Sequence, residues 1–257
     1  MDYQNILEDV YKSVKPNKDG KLASYIPQLT KVDPYIFGIT FCDLNGKCYS
    51  VGDSDKTIPI ESISKLFSLV LAVNKLGKNE VFKKIGIRAS FMPFNSIIAA
   101  KLAPTHTINP YVNQGAMATT SLLYKKNQKL FKKQLLDNMS KFANRKLQLD
   151  ERVYKSELGT NSVNMSLAYL LESLNRFYAP VKETIDAYTY QCSVKVSSKD
   201  LAIMASVLAN AGKHPQTQEQ LVSKENTEYI LNTLKPEGLY EYSPTWMVNT
   251  NGKSYAK

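Results

Sequence analysis

The chain reads as an α/β protein of the α+β kind: an antiparallel sheet drawn from both chain ends, helices flanking it, and a helical subdomain inserted between the two. Three observations predict this. Tyr35–Cys42 is rich in β-branched and aromatic residues and leads into Asn45-Gly46, the strongest short signal for a tight hairpin turn. From Glu80 to Ala211 the apolar residues recur mostly at helical spacing. Near the end, Thr245-Trp246-Met247-Val248-Asn249 returns to strand-like composition, before a second turn signal at Asn251-Gly252.

In chain order, Asn5–Val14 is a helix with Ile6, Leu7, Val10 and Tyr11 as its stripe, ended by Pro16. A shorter element spans Leu22–Leu29. After Asn45-Gly46, Lys47–Gly52 is the return strand, a register that sets Asp43 beside Cys48 with Cys42 one step further back. A disulfide is geometrically open to Cys42 and Cys48, but two reduced thiols are expected. The period then changes to 3.6: Ile63, Leu66, Phe67, Val70 and Val73 share one face of a helix that stops near Gly77. Helices are expected over Glu80–Ile85, Asn95–Leu102, Ala116–Leu123, the basic region, Ser162–Phe177, Ser198–Ala211 and Lys224–Leu234. The whole is one domain, 1–257, with a sheet-bearing part at about 1–60 and 194–257, a helical subdomain at about 78–193, and a cleft where they meet.

At 257 residues and 43% apolar content the chain buries a real core, which excludes disorder and small disulfide scaffolds. Three cysteines are odd for a secreted framework, and Met1–Asn5 does not lead from a basic region into an apolar one, so the cytoplasm is the expected setting. Stretches such as Leu69–Val73 are far shorter than the roughly twenty apolar residues of a membrane span, so no membrane association is expected. The net charge of +10 comes mostly from one segment, Lys125–Lys146, with eight basic residues against Asp137 alone. Leu130, Phe131, Leu135, Leu136, Met139 and Phe142 recur there at helical spacing, so the lysines form the wet face of amphipathic helices rather than a nucleic acid site.

The two histidines, His106 and His214, lie next to prolines, are expected at the surface, and have no second histidine or cysteine at metal-ligand spacing. The glycines form no phosphate loop. Neither a metal nor a cofactor is expected. What remains is Ser62-Ile63-Ser64-Lys65 at the start of the helix after Pro59. Residues three apart share a helix face, so the Lys65 amine reaches toward the Ser62 hydroxyl. The positive end of the helix dipole favours a developing alkoxide there, which suits Ser62 as nucleophile and Lys65 as base. Ser64 is the lesser candidate. S-x-x-K alone is a weak pattern in a lysine-rich chain.

Several further stretches accompany it in order. They are Gly20–Leu29, Val51-Gly52-Asp53, Phe94-Asn95-Ser96, Asn109–Ala116, Val153–Glu157, Asn164, Tyr188 four residues before Cys192-Ser193, Leu208–Gly212 and Gly238-Leu239-Tyr240. Together with Ser62–Lys65 they make the sequence resemble the serine-dependent glutaminases, a family that shares the β-lactamase-like fold. The resemblance implies hydrolysis of L-glutamine to L-glutamate and ammonia through a serine acyl-enzyme. It places Ser62 as nucleophile, Lys65 as its base and Tyr240 as a second proton-transfer residue. It also implies that Tyr25, Asn113, Glu157, Asn164 and Tyr188, with Ser62 and Tyr240, hold the substrate, and that the protein is a homodimer or homotetramer. The set suits glutamine: Glu157 pairs with the α-ammonium, while amides and tyrosine hydroxyls donate to the α-carboxylate.

Two departures stand out. Past Gly-Leu-Tyr the family continues into a strand carrying Lys-Ser-Gly-Val and a further strand; here Lys253-Ser254 is followed by Tyr255, so the resemblance implies a domain C-terminally incomplete relative to the family and without the valine amide of the oxyanion hole. One such donor is typically worth about 10² to 10³ in rate. Arg88-Ala89-Ser90-Phe91 replaces a motif close to Glu-Pro-Ser-Gly. Three readings therefore stand side by side: an active glutaminase, a catalytically impaired descendant acting as a binding or assembly module, and another S-x-x-K serine hydrolase using Ser162-Val163-Asn164 in its cleft.

Overall fold

The computed structural model describes residues 1–90, 92–102, 105–252 and 256. Phe91 and Lys253-Ser254-Tyr255, named above, lie outside the described residues, as does Pro104, the proline two residues before His106.

Helix α1 (Tyr3–Val14) is capped by Asp2, whose carboxylate accepts from the Asn5 amide. It covers a two-stranded antiparallel hairpin, β1 (Gly38–Cys42) and β2 (Cys48–Gly52). The contact is aromatic: Tyr3 packs on Phe41 at 4.6 Å and Tyr11 stacks on Phe37 at 5.1 Å between ring centroids. The stripe expected on this helix is therefore rotated, and Ile6 and Val10 stay exposed. The hairpin register also differs by one residue, with Cys42 directly opposite Cys48. The reason is the turn: the Asp43 carboxylate accepts from the amides of both Asn45 and Lys47, making the loop longer than a two-residue turn. The two sulfurs are bonded, which corrects the expectation of reduced thiols. No helix forms over Leu22–Leu29; the chain runs irregularly to Pro27, which starts a 3-10 turn, Pro27–Lys31.

Strand β3 (Ile58–Pro59) leads through a 3-10 turn, Glu61–Ile63, into α2 (Ser64–Leu76). Almost every residue of α2 from Ser64 to Val73 is buried, as befits a helix that is apolar nearly all round. Gly77, at φ +82°, ends it as expected. Around it pack α3 (Lys78–Ile85), α5 (Asn113–Leu122), α6 (Gln128–Phe142) and α9 (Val181–Cys192), with α4 (Ala99–Leu102), α7 (Glu151–Leu158) and α8 (Ser162–Ser173) outside them. In α6, Phe131, Leu135, Met139 and Phe142 face the core and most of the lysines face water, as the pattern predicts. Lys132 is the exception: it pairs with Asp186 at 2.7 Å.

A second small antiparallel sheet, in the order β3-β5-β4, joins β5 (Val194–Val196) to β3 on one side and to β4 (Gln148–Leu149) on the other. After it, α10 (Ser198–Ala209) packs on the hairpin through Thr40 and Ser198, on the face opposite α1. Helix α11 (Lys224–Leu234) has the bounds the sequence predicts. The mixed α/β class holds, but Thr245–Asn249 is not a strand. It lies in α12 (Ser243–Asn249), because Pro244 sits in the first turn, where its fixed φ and missing N–H favour a helix start over the β-branched composition that follows. Among the described residues the C-terminal part adds no strand to the hairpin. His214, expected at the surface, is buried, its Nδ1 accepting from the Gln216 amide. No described helix is long and apolar enough to cross a membrane.

At Gly115 an added Cβ would stand 1.6 Å from the Asn109 carbonyl oxygen, which the backbone cannot clear without moving. Gly115→Ala is expected to destabilise the protein by about 2 kcal/mol, lowering its melting midpoint by roughly 5 °C in differential scanning calorimetry.

Candidate active site

The site is built around the turn between β3 and α2. The Ile60 amide donates to Val194 and β3 pairs with β5, so the small sheet holds both ends of the segment that delivers Glu61 and Ser62. Glu61 has φ +51°, an uncommon backbone for a residue with a side chain. Ser62 lines a cleft of about 410 Å³, together with Tyr25, Glu61, Phe94, Asn113, Glu157, Asn164, Tyr188 and Tyr240 among others. Every residue predicted for the site except Lys65 lies on its wall. The Ser62 amide lies in the first turn at the helix start, where backbone N–H groups lack intrahelical partners.

Lys65 lies beneath the wall and is completely buried. Its Nζ is 2.7 Å from Asn113 Oδ1, 3.0 Å from the Tyr111 carbonyl and 3.0 Å from Tyr240 Oη. The first two partners can only accept, so they take two N–H bonds; the tyrosine hydroxyl can either accept or donate. The lysine also orients an amide chain. Because Asn113 must present its oxygen to Lys65, its Nδ2 is left to donate to Asn164 Oδ1 at 2.9 Å, and Asn164 in turn keeps its own Nδ2 as a donor for the cleft. Tyr240 reaches Lys65 from a turn at φ +53°, and its ring packs on Phe94 at 5.3 Å. Ser64 is buried, with its hydroxyl 3.4 Å from Cys192 Sγ, and does not line the cleft.

The other end of the cleft is acidic. Glu157, on α7, is 8% exposed, and its Oε2 has no hydrogen-bond partner among the described residues. Burial, followed by the nearby Glu61 carboxylate, pushes its pKa up to about 8. Burial pushes Glu61 up to about 7, against the opposing influence of the Tyr25 hydroxyl, which donates to its Oε2 at 3.2 Å, and of Lys65. Burial likewise raises the Tyr188 hydroxyl and the Cys192 thiol behind them. Glu61 is not among the residues singled out from the sequence. Its one signal was an acid directly before Ser62 in the first turn, which reads equally well as a carboxylate complementing the helix dipole.

A serine at a helix start, a buried lysine three residues on and a tyrosine hydroxyl on that lysine are the groups a proton-relayed acyl transfer would require. The family model for Glutaminase matches residues 20–253. The chain belongs to the glutaminase family. A protein named Glutaminase from Colwellia psychrerythraea is 46% identical over 243 residues, 95% of this chain and 78% of that protein. Another from Bacteroides fragilis is 38% identical over 95% of this chain and 76% of its own length. The solved structure of probable glutaminase ybaS superposes with a TM-score of 0.92 at 35% identity, covering 95% of this chain and 79% of that one. The structure of Mglu in its glutamate form superposes with a TM-score of 0.90 at 28% identity, over 96% of this chain and 57% of that one. The glutaminase family is serine-dependent and β-lactamase-like, in agreement with the resemblance read from the sequence.

Both cleft carboxyls titrate above the usual carboxylate range. Such groups favour the fold in their protonated form, so this contribution is complete in acid and is lost as pH rises through about 7 for Glu61 and about 8 for Glu157. The melting midpoint of the ligand-free protein is expected to fall between about pH 4.5 and about pH 8, and to fall less in Glu157→Gln, as scanning calorimetry across that range will read.

Proposed function

We propose that this glutaminase-family protein hydrolyses L-glutamine to L-glutamate and ammonia, with Ser62 as nucleophile. The observation that carries the mechanism is the contact of Lys65 Nζ with Tyr240 Oη at the base of a cleft that Ser62 lines. Lys65, fixed by Tyr111 and Asn113, takes the Ser62 proton as the hydroxyl oxygen attacks the side-chain amide carbon. The Ser62 amide at the helix start donates to the oxyanion. Tyr240, hydrogen-bonded to the same amine, delivers a proton to the departing nitrogen, and ammonia leaves. Water then attacks the γ-glutamyl ester with the same two groups relaying its proton, releasing glutamate and restoring Ser62.

The remaining wall fits the head of an amino acid. Glu157 receives the α-ammonium, and Asn164 Nδ2 with the hydroxyl of Tyr188 donates to the α-carboxylate, while Tyr25, whose hydroxyl proton goes to Glu61, lines the cleft. With the head anchored, the amide of asparagine falls one methylene short of Ser62, so the site discriminates by position. The cleft volume of about 410 Å³ lies in the usual range for small-molecule sites. We propose further that the chain is one domain whose sheet-bearing and helical parts meet at this cleft. Its family resemblance suggests a homodimer or homotetramer. Its cysteine count suggests the cytoplasm, although the Cys42–Cys48 bond speaks for a less reducing setting.

Purified protein is expected to release ammonia from L-glutamine in a coupled assay. Ser62→Ala should lower kcat by at least about 10⁴, and Tyr240→Phe by about 10² to 10⁴. Activity that survives Ser62→Ala would overturn the acyl-enzyme reading.

A further inference from the structure

Helix α11 ends at Leu234, and the chain from there carries no helix or strand before Tyr240, whose hydroxyl must nevertheless meet a buried amine. Tyr240 also holds φ +53°, a backbone that persists only where its surroundings impose it. Glu237, the residue just before Gly238-Leu239-Tyr240, is 1% exposed, does not line the cleft and has no part in the mechanism above. We infer that Glu237 is a positioning residue: fastened to Ser90, it holds the turn that sets the Tyr240 hydroxyl on Lys65. This rests on the L-glutamine reading and adds to it a group that touches neither the substrate nor the reacting atoms.

Backbone and side chain of Glu237 both act on the turn. Its carbonyl accepts from the Tyr240 amide at 2.9 Å. Its carboxylate is held at two points by one residue on the segment between α3 and α4: Oε2 accepts from the Ser90 amide at 2.9 Å, and Oε1 from the Ser90 hydroxyl at 2.6 Å. Paired bonds of this kind fix orientation as well as distance, and those to a carboxylate are stronger than neutral ones. Ser90 is anchored in its turn. Two residues earlier, the Arg88 amide donates to the Ile108 carbonyl at 2.9 Å, and the Arg88 carbonyl accepts from Asn109 Nδ2 at 2.8 Å. Asn109 Oδ1 then accepts from the amides of Tyr111 and Val112, at 2.9 Å and 3.1 Å.

These contacts close into a ring. The Tyr111 carbonyl and the Asn113 side chain hold Lys65 Nζ from one loop, and Tyr240 meets it from another. Through Asn109, Arg88, Ser90 and Glu237, the loop that bears the first two partners is tied to the turn that bears the third. With the Glu237–Ser90 link removed the ring is open, and nothing in it relates the height of the Tyr240 hydroxyl to the seat of the amine. A displacement of about 1 Å in a group that must transfer a proton costs on the order of 10² in rate. The loss falls on the chemical steps, in which Tyr240 acts, and spares the residues that hold the amino-acid head.

The test is a double-mutant cycle read by ammonia release from L-glutamine. Glu237→Ala is expected to lower kcat by about 10-fold to 100-fold and to change KM by less than about 3-fold. In a Tyr240→Phe background, where no hydroxyl remains to be positioned, the same substitution should lower the residual kcat by less than about 2-fold. Ser90→Ala removes one of the two bonds and keeps the other, so it is expected to lose about 3-fold to 10-fold, again only where Tyr240 is present; it carries the cycle if Glu237→Ala does not fold. An equal loss in both backgrounds would mean that the link only supports the fold. An unchanged kcat, or a loss confined to KM, would mean that the turn places Tyr240 unaided; each of these results overturns the inference. Turnover by the unmutated protein reads the glutaminase activity separately. Were it absent, the crystal structure of the variant would still decide: a Tyr240 hydroxyl beyond hydrogen-bonding distance of Lys65 upholds the inference, and one that stays in place defeats it.

Discussion

Burying an amine completely requires acceptors that the protein must bring to it, and Lys65 is the group around which this structure is organised. Its partners come from the Tyr111 carbonyl, from Asn113 at the start of α5 and from Tyr240 near the far end of the chain. None of these segments is close to Lys65 in sequence, so satisfying one nitrogen fixes the position of α5 against α2 and draws the Gly-Leu-Tyr turn over the cleft. The same requirement propagates outward. It decides which way the Asn113 amide faces, and therefore which atom of Asn164 is offered to a ligand.

The cleft stores unfavourable energy in two forms. Two of its residues, Glu61 and Tyr240, hold positive φ, which costs on the order of 1 to 3 kcal/mol each. Two of its carboxyls are buried where their charged forms are disfavoured. The surroundings over-determine both: β3 and β5 grip the segment before Ser62, while the Glu237 carboxylate accepts from the amide and hydroxyl of Ser90 just ahead of the Tyr240 turn. The second of these clamps uses Ser90, on the segment between α3 and α4.

Much of this was readable in the sequence because it depends on local rules. Helix α2 shows an apolar period and a glycine stop, α11 has the bounds expected of it, and Asn45-Gly46 marks the hairpin. The residues on the cleft wall were readable by resemblance, since Tyr25, Asn113, Glu157, Asn164, Tyr188 and Tyr240 are scattered over more than two hundred positions and no periodicity links them. The errors have physical causes. Pro244 converted a strand-like composition into a helix, the Asp43 carboxylate lengthened a turn and shifted the cysteine register, and His214 is buried by tertiary packing that no local signal announces. Glu61 escaped notice because an acid in a first turn already has a sufficient local explanation; its raised titration comes from burial, which only the folded chain supplies.

The Lys65–Tyr240 hydrogen bond spans 175 residues of sequence. During synthesis the helices around α2 can pack long before Tyr240 has been made, yet the proposed relay lacks one member until that residue has emerged. A chain made only as far as α11 is thus a shell without its proposed centre, and activity reports that synthesis has passed Tyr240 as much as it reports on chemistry.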